Sequence, residues 1–264
     1  MKVVLFCGGL GMRLREYSEN IPKPLVTIGC RPIIWHLMKY YAYFGYKDFI
    51  LCLGYRGDAF KKYFLEYNEC DSNDFTFSEG GKKLELANND IMDWTITFVD
   101  TGTHSNIGQR LKAVEEHLRG EDIFLANYSD GLTDLDLSKQ ISEFRKSDVF
   151  ASFISVKPNL SYHTVTTGEN HLVVGMQPFK MSDIRINGGY FLFRREIFNY
   201  IKDGEELVQE PFYRLIEEGK LIAYSYDGFW GSMDTFKDKQ VLDDLYERGP
   251  APWEVWKSKN NDEK

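Results

Sequence analysis

The apolar run Val3-Val4-Leu5-Phe6 breaks directly into Cys7-Gly8-Gly9-Leu10-Gly11-Met12-Arg13-Leu14, and Lys23 follows between Pro22 and Pro24. A strand-length run ending in three glycines constrains the fold to one that presents bare backbone at a strand end. With no Cβ in the way, successive N–H groups can approach and ring an anion. Arg13 and Lys23 add full positive charge suited to a polyphosphate. The spacing lacks the Gly-Lys-Ser/Thr of a Walker loop and the G-x-G-x-x-G that opens a dinucleotide-binding helix. A glycine-rich turn alone is weak evidence; the whole string, with Arg-Leu and Pro-Lys-Pro attached, is far more specific.

Apolar strand-like runs alternate with helical periodicity through the first half. Residues 2–7, 48–53, 94–99 and 122–127 read as strands; 32–45, 57–67 and 108–118 read as helices. Such alternation predicts a Rossmann-like α/β fold, a mainly parallel sheet with helices on both faces. Ligands in such sheets sit at the carboxyl ends of the strands. The glycine turn and Asp130 both fall at such ends. Beyond residue 134 the pattern predicts a helix at 138–147, strands at 150–156, 172–177 and 186–193, a helix at 209–218, a strand at 221–225 and a helix at 235–247. Residues 68–92 read as an insertion that holds a hairpin. Residues 1–256 read as one domain and 257–264 as a frayed polar tail.

At 264 residues and 43% hydrophobic the chain can bury a sizeable core. Its formal charge of −8 argues against nonspecific nucleic-acid binding, though not against a nucleotide held by a few local cations. No stretch approaches a membrane span, and the N-terminal apolar run is too short for a signal core; the cytosol is the expected location. Cys7, Cys30, Cys52 and Cys70 show no paired spacing and read as small buried hydrophobes. Trp35, Tyr40, Tyr41, Tyr43 and Phe44 read mostly as core.

Two aspartates stand where chemistry is possible. Asp130 follows Ile123-Phe124-Leu125-Ala126 and precedes Gly131, so it is either a turn residue or a cation ligand. Asp234 lies just ahead of the last helix, so it is either an N-cap or a second cation ligand.

The string G-G-x-G-x-R-L with P-K-P-L resembles the signature of the sugar-1-phosphate nucleotidyltransferases, most closely their glucose-1-phosphate cytidylyltransferase branch. Matching pieces run along nearly the whole chain. They include Gly29-Cys30-Arg31-Pro32, Cys52-Leu53-Gly54-Tyr55-Arg56-Gly57, Val99-Asp100-Thr101-Gly102, Tyr128-Ser129-Asp130-Gly131, Ile186-Asn187-Gly188-Gly189-Tyr190 and Met233-Asp234-Thr235. The resemblance implies transfer of CMP from CTP to a phosphate monoester, in nucleotide-sugar biosynthesis, by a protein that often forms homo-oligomers. It implies Mg²⁺ on Asp130 and Asp234, Lys23 at the α-phosphate and acceptor phosphate, and Arg13 at the departing phosphates. It implies a nucleotide bound by Gly8, Gly9, Gly11, Met12 and the segment Gly108-Gln109-Arg110, with the base read by Gly8, Gly9 and that segment, and acceptor contacts from Asn187 and Glu210.

The departures gather in the acceptor half. Where the family carries Glu-Lys-Pro, its lysine holding the acceptor phosphate, this chain has Met176-Gln177-Pro178; where it carries Trp before Ile-Asn-Gly-Gly, this chain has Arg185. A neutral amide cannot replace a phosphate-binding cation. Either Lys180 or Arg185 takes over that phosphate, or the pocket serves another, non-sugar phosphorylated acceptor. A smaller change places Gly231-Ser232 where the branch has Gln-Pro, ahead of Met-Asp. A catalytically silent nucleotide-binding regulator is the reading from a different class.

Overall fold

The computed structural model describes residues 1–9, 21–158 and 162–257. In chain order its main elements are β1 (Val3–Phe6), α1 (Ile33–Tyr43), β2 (Asp48–Leu53), α2 (Gly57–Leu65), β3 (Thr95–Asp100), α3 (Ile107–Ala113), β4 (Ile123–Asn127), β5 (Gly131–Thr133), α4 (Leu137–Lys146), β6 (Ala151–Val156), β7 (Ile186–Asn187), β8 (Phe191–Arg194), α5 (Glu210–Glu217), β9 (Leu221–Tyr226), β10 (Trp230–Ser232) and α6 (Phe236–Glu247). Eight strands form the central sheet, with β6-β8-β4-β1-β2-β3 side by side, β7 on the same edge of β6 as β8, and β9 on the other edge of β6. The neighbours β4, β1, β2 and β3 are parallel, as is the β6–β9 pair; β8 runs antiparallel to β4 and β6. The predicted mainly parallel, helix-covered sheet is what forms.

Residue alternation distributes the core to both faces. Val3, Leu5, Phe49, Leu51 and Leu125 pack with α1 and α4 on one face. Val4, Phe6, Ile50, Cys52, Phe124 and Ala126 pack with α3 and α5 on the other. Strands buried on both sides explain why the early runs read as unbroken hydrophobic stretches rather than alternating ones.

Several expectations are corrected. The strand expected over 186–193 is two pieces, β7 and β8, both along the same edge of β6. Between them Gly188-Gly189-Tyr190 bulges, with Gly189 and Tyr190 at φ +74° and +53°. The helix expected over 108–118 ends at Ala113 and tightens into a 3₁₀ turn over Glu115–Leu118. An additional strand, His163–Thr167, pairs with Val173–Pro178. Only Cys7 and Cys52 are buried; Cys30 is exposed and Cys70 half-buried, because both lie on the loops that edge a surface groove. Trp35, Tyr40 and Tyr41 are core, while Tyr43 and Phe44 are half-buried.

The insertion does hold a hairpin, Phe75–Ser78 against Lys83–Leu86. A polar network roots it: buried Asp90 accepts from Lys39 (2.7 Å), Tyr67 (3.0 Å) and Asn73 (3.0 Å), while Arg31 donates to Ser72 and to the Asn68 carbonyl and lies over the Tyr67 ring. The tail expected to fray falls, from residue 258 on, outside the described residues.

Candidate active site

One short ladder and two tight turns bring three charges together from distant parts of the chain. Beyond β4 the chain turns through Ser129, whose φ of +71° is unusual for a residue with a side chain. Asn127 Oδ1 accepts from the Ser129 N–H, Tyr41 OH accepts from Asn127 Nδ2, and Cys7 Sγ donates to Ser129 Oγ. This chain of contacts holds the left-handed turn and aims Asp130 into the cleft. The β5–β10 ladder then pairs Gly131 with Ser232, Leu132 with Gly231 and Thr133 with Trp230, and the Met233 N–H donates to the Asp130 carbonyl at 2.9 Å. Asp130 and Asp234 are thereby registered to each other across more than a hundred residues of sequence.

Lys23 enters from the other side. Pro22 and Pro24 fix a 3₁₀ turn over Lys23–Leu25, closed by Leu25 N–H to Pro22 O and Val26 N–H to Lys23 O. Its Nζ donates to Asp130 Oδ2 and to Asp234 Oδ1, each at 2.7 Å. The three side chains are 14%, 26% and 42% exposed, an ion triad at the mouth of the sheet. Burial alone would lower the Lys23 pKa, but the two carboxylates outweigh it and raise it. For Asp130 burial pushes the carboxyl above its ordinary range, and Lys23 only partly counters it.

The N-cap alternative for Asp234 does not hold: Thr235 caps α6, its side chain accepting from Asp238 N–H, while Asp238 accepts in return from Thr235 N–H. Asp234 sits one residue earlier, with its carboxylate turned to Lys23. Two carboxylate oxygens that already converge on one cationic atom fit a small hard ion completed by phosphate oxygens and water. Among the described residues no larger His, Cys, Asp or Glu group suited to a metal exists.

Of the segment Gly108-Gln109-Arg110, the structure brings one member to the glycine loop. Buried Arg110 donates through Nη1 to Leu53 O (3.1 Å), Thr101 Oγ1 (2.7 Å) and Gly102 O (2.9 Å), and through Nη2 to Gly8 O (3.0 Å). One guanidinium thus ties together the carboxyl ends of β1, β2 and β3. Gln109 closes a capping box with Asn106, and Gly108 is required where α3 meets the chain, since a Cβ would stand 2.3 Å from Glu205 O. Sequence reasoning missed this bracing because it depends on three strand ends meeting in space.

A Cβ on Gly8 would fall 2.0 Å from Arg110 Nη1, whereas one on Gly9 would meet no atom of the described residues within 4 Å. Gly8→Ala is therefore expected to lower stability by about 2 kcal/mol, and Gly9→Ala to stay within about 0.5 kcal/mol of wild type. Denaturant unfolding of both variants checks this; equal stability for the two would contradict the packing of Arg110.

The acceptor candidates are placed less uniformly. Asn187 donates to Tyr128 OH at 3.3 Å and accepts from Gly189 N–H at 2.9 Å, while Trp230 Nε1 donates to Gly188 O. The glycine bulge is thus held between Tyr128 and Trp230, beside Asp130. Arg185 is engaged elsewhere: its guanidinium donates to the carbonyls of Ser155 and Tyr226 and pairs with Asp227 at 2.9 Å. A phosphate at Arg185 would have to compete with Asp227. Glu210 is exposed at the first turn of α5, and Gln177 is exposed on the hairpin that carries it. Gly11, Met12 and Arg13, and the side chain of Lys180, lie outside the described residues.

Comparison with known proteins bears on the family and the fold. Residues 2–238 match the model of a family described as nucleotidyl transferase. A glucose-1-phosphate cytidylyltransferase of Salmonella typhimurium is 37% identical over 257 residues, covering 97% of this chain and all of that one. A probable glucose-1-phosphate cytidylyltransferase of Bacillus subtilis is 34% identical, with the same coverage. Among solved structures, UDP-glucose pyrophosphorylase complexed with UDP-glucose superposes with a TM-score of 0.66 at 15% identity, over 94% of this chain and 98% of that one. HddC from Yersinia pseudotuberculosis gives 0.63 at 19% identity, over 93% and 99%. A sheet whose strand ends carry a glycine turn, a lysine and two facing aspartates, in a chain so matched from end to end, belongs to the nucleotidyl transferase family.

Proposed function

We propose that this nucleotidyltransferase is a cytidylyltransferase that moves CMP from CTP to a sugar-1-phosphate, glucose-1-phosphate being the first candidate. The observation that carries the reading is the convergence of Lys23, Asp130 and Asp234 within hydrogen-bond distance at the sheet's carboxyl edge. The cytosine and glucose assignments come from the relatives, which match over the full chain.

An acceptor phosphate oxygen forms a bond to the α-phosphorus of CTP, and the bond from that phosphorus to the bridging oxygen breaks, so pyrophosphate leaves with the electron pair. The nucleophile is already ionised at neutral pH, so no general base is required. Catalysis then rests on positioning and on neutralising charge at the transferring group. Lys23, protonated and held at the cleft mouth, would set its ammonium between the α-phosphate and the acceptor phosphate. Backbone groups of Gly8 and Gly9, on a loop braced by Arg110, would receive the base. Asn187 and Glu210 would meet acceptor hydroxyls, and Arg13 would meet the departing β- and γ-phosphates. Asp130 and Asp234 would hold Mg²⁺, which when bound supplies positive charge to the phosphate oxygens.

Homo-oligomerisation is part of the same proposal. In the 75–86 hairpin Phe75 faces Leu86 and Phe77 faces Leu84. All four are exposed on one side of a two-stranded ribbon, which is marginal without further packing. No helix among the described residues is long and apolar enough to cross a membrane.

Pyrophosphate release on mixing the protein with Mg²⁺, each nucleoside triphosphate in turn and a panel of phosphate monoesters tests the reading. Release is expected with CTP and a hexose-1-phosphate. Release only with a non-sugar phosphate would move the acceptor class, and CTP binding without release from any acceptor would favour a silent regulator.

A further inference from the structure

We propose that Ser232 is a positioning residue for Asp234, fixing the plane in which its carboxylate is offered to a cation; this rests on the magnesium reading above. Ser232 Oγ donates to Asp234 Oδ2 at 2.8 Å, while Asp234 Oδ1 faces Lys23 Nζ at 2.7 Å. The two oxygens therefore have distinct partners. Rotation of an aspartate carboxylate is broad and roughly two-fold, and this one is 42% exposed, so rotamer preference alone does not select an orientation. The hydroxyl does.

Ser232 is itself referenced to the second carboxylate. It is the last residue of β10 and pairs with Gly131, and the next residue donates its N–H to the Asp130 carbonyl. The hydroxyl that orients Asp234 is thus anchored to the backbone that carries Asp130, and the two ligating oxygens keep a constant relation. A neutral hydroxyl also serves better here than a second cation would, since it orients the carboxylate without cancelling its charge. Partners that hydrogen-bond a metal-ligating carboxylate typically change metal affinity 10- to 100-fold when removed.

The test is a Mn²⁺ titration followed by the electron paramagnetic resonance of free Mn²⁺, in the presence of a CTP analogue that cannot be cleaved between the α- and β-phosphates. Ser232→Ala is expected to bind Mn²⁺ about tenfold more weakly than wild type, with metal-free binding of the analogue unchanged. Ser232→Thr, which keeps the hydroxyl, is expected to restore the affinity. Ser232→Ala titrating within twofold of wild type would overturn the role. Asp234→Asn separates the two levels of the argument. If it loses Mn²⁺ while Ser232→Ala does not, only the Ser232 assignment falls; if Asp234→Asn binds Mn²⁺ as wild type does, the magnesium reading falls with it.

Discussion

Lys23→Met is expected to lower kcat for pyrophosphate release roughly a thousandfold, the scale seen when a charge-stabilising donor is removed from a transferring phosphoryl or acyl group. The fold is expected to survive, since the lysine sits at the cleft mouth and its turn is set by the flanking prolines. A second effect follows from the geometry. The variant leaves Asp130 and Asp234 facing the space that one ammonium filled at 2.7 Å from each. Removing one partner of a buried ion pair costs about 3–5 kcal/mol, but with Asp234 partly exposed screening reduces this to about 1–2 kcal/mol. Mg²⁺ added alone is therefore expected to raise the melting temperature of Lys23→Met more than that of wild type, because binding to the folded state adds to its stability and no ammonium has to be displaced. Lys23→Arg is not expected to rescue turnover fully, since a planar fork cannot sit between two carboxylates and a phosphate as a compact ammonium does. Turnover near the wild-type rate in Lys23→Met would remove the central support of the proposed mechanism.

The parts of this site that were legible in the sequence are those whose signal is local. The strand-to-glycine transition at Phe6-Cys7-Gly8, the prolines around Lys23 and the Asp-Gly at a strand end each announce their geometry within a few residues. The facing of Asp130 and Asp234 was not legible from spacing, because the β5–β10 ladder that registers them is three residues long on each side and too short for periodicity. Arg110 looked like a ligand contact in a helix start; its bracing of three strand ends exists only once the sheet is assembled. The break between β7 and β8 was hidden because Gly188-Gly189-Tyr190 interrupts a strand pattern without interrupting its hydrophobicity. The hairpin strand His163–Thr167 was missed for the opposite reason: it buries no side chain, so no alternation marks it.

Acidification is expected to remove about 3 kcal/mol of stability through a single residue remote from the active site. His36 on α1 is buried, with Nε2 3.0 Å from Ile28 O and Nδ1 3.3 Å from Trp253 Nε1. An indole N–H only donates, so Nδ1 must be the unprotonated acceptor and Nε2–H the donor to Ile28. Protonation would set two donors against each other at Trp253. Burial accordingly lowers the His36 pKa from 6.5 to about 4, although the Ile28 carbonyl and Glu254 pull it the other way. The folded pKa lies below the unfolded one, so between these values the unfolded chain binds more protons. Stability is complete above about pH 6.5 and declines as pH falls toward 4. At about 1.36 kcal/mol per unit the full loss is about 3 kcal/mol. The segment released is the one that Trp253 and Ala251 anchor against α1, both buried in that core. Urea unfolding at pH 7.5 and pH 4.5, with tryptophan emission as the probe, measures it. His36→Gln lacks the titrating ring, so its loss between the two pH values is expected to be smaller than wild type's by most of that 3 kcal/mol, even if its stability at pH 7.5 is lower. An equal loss in both proteins would assign the acid sensitivity to the carboxylates instead.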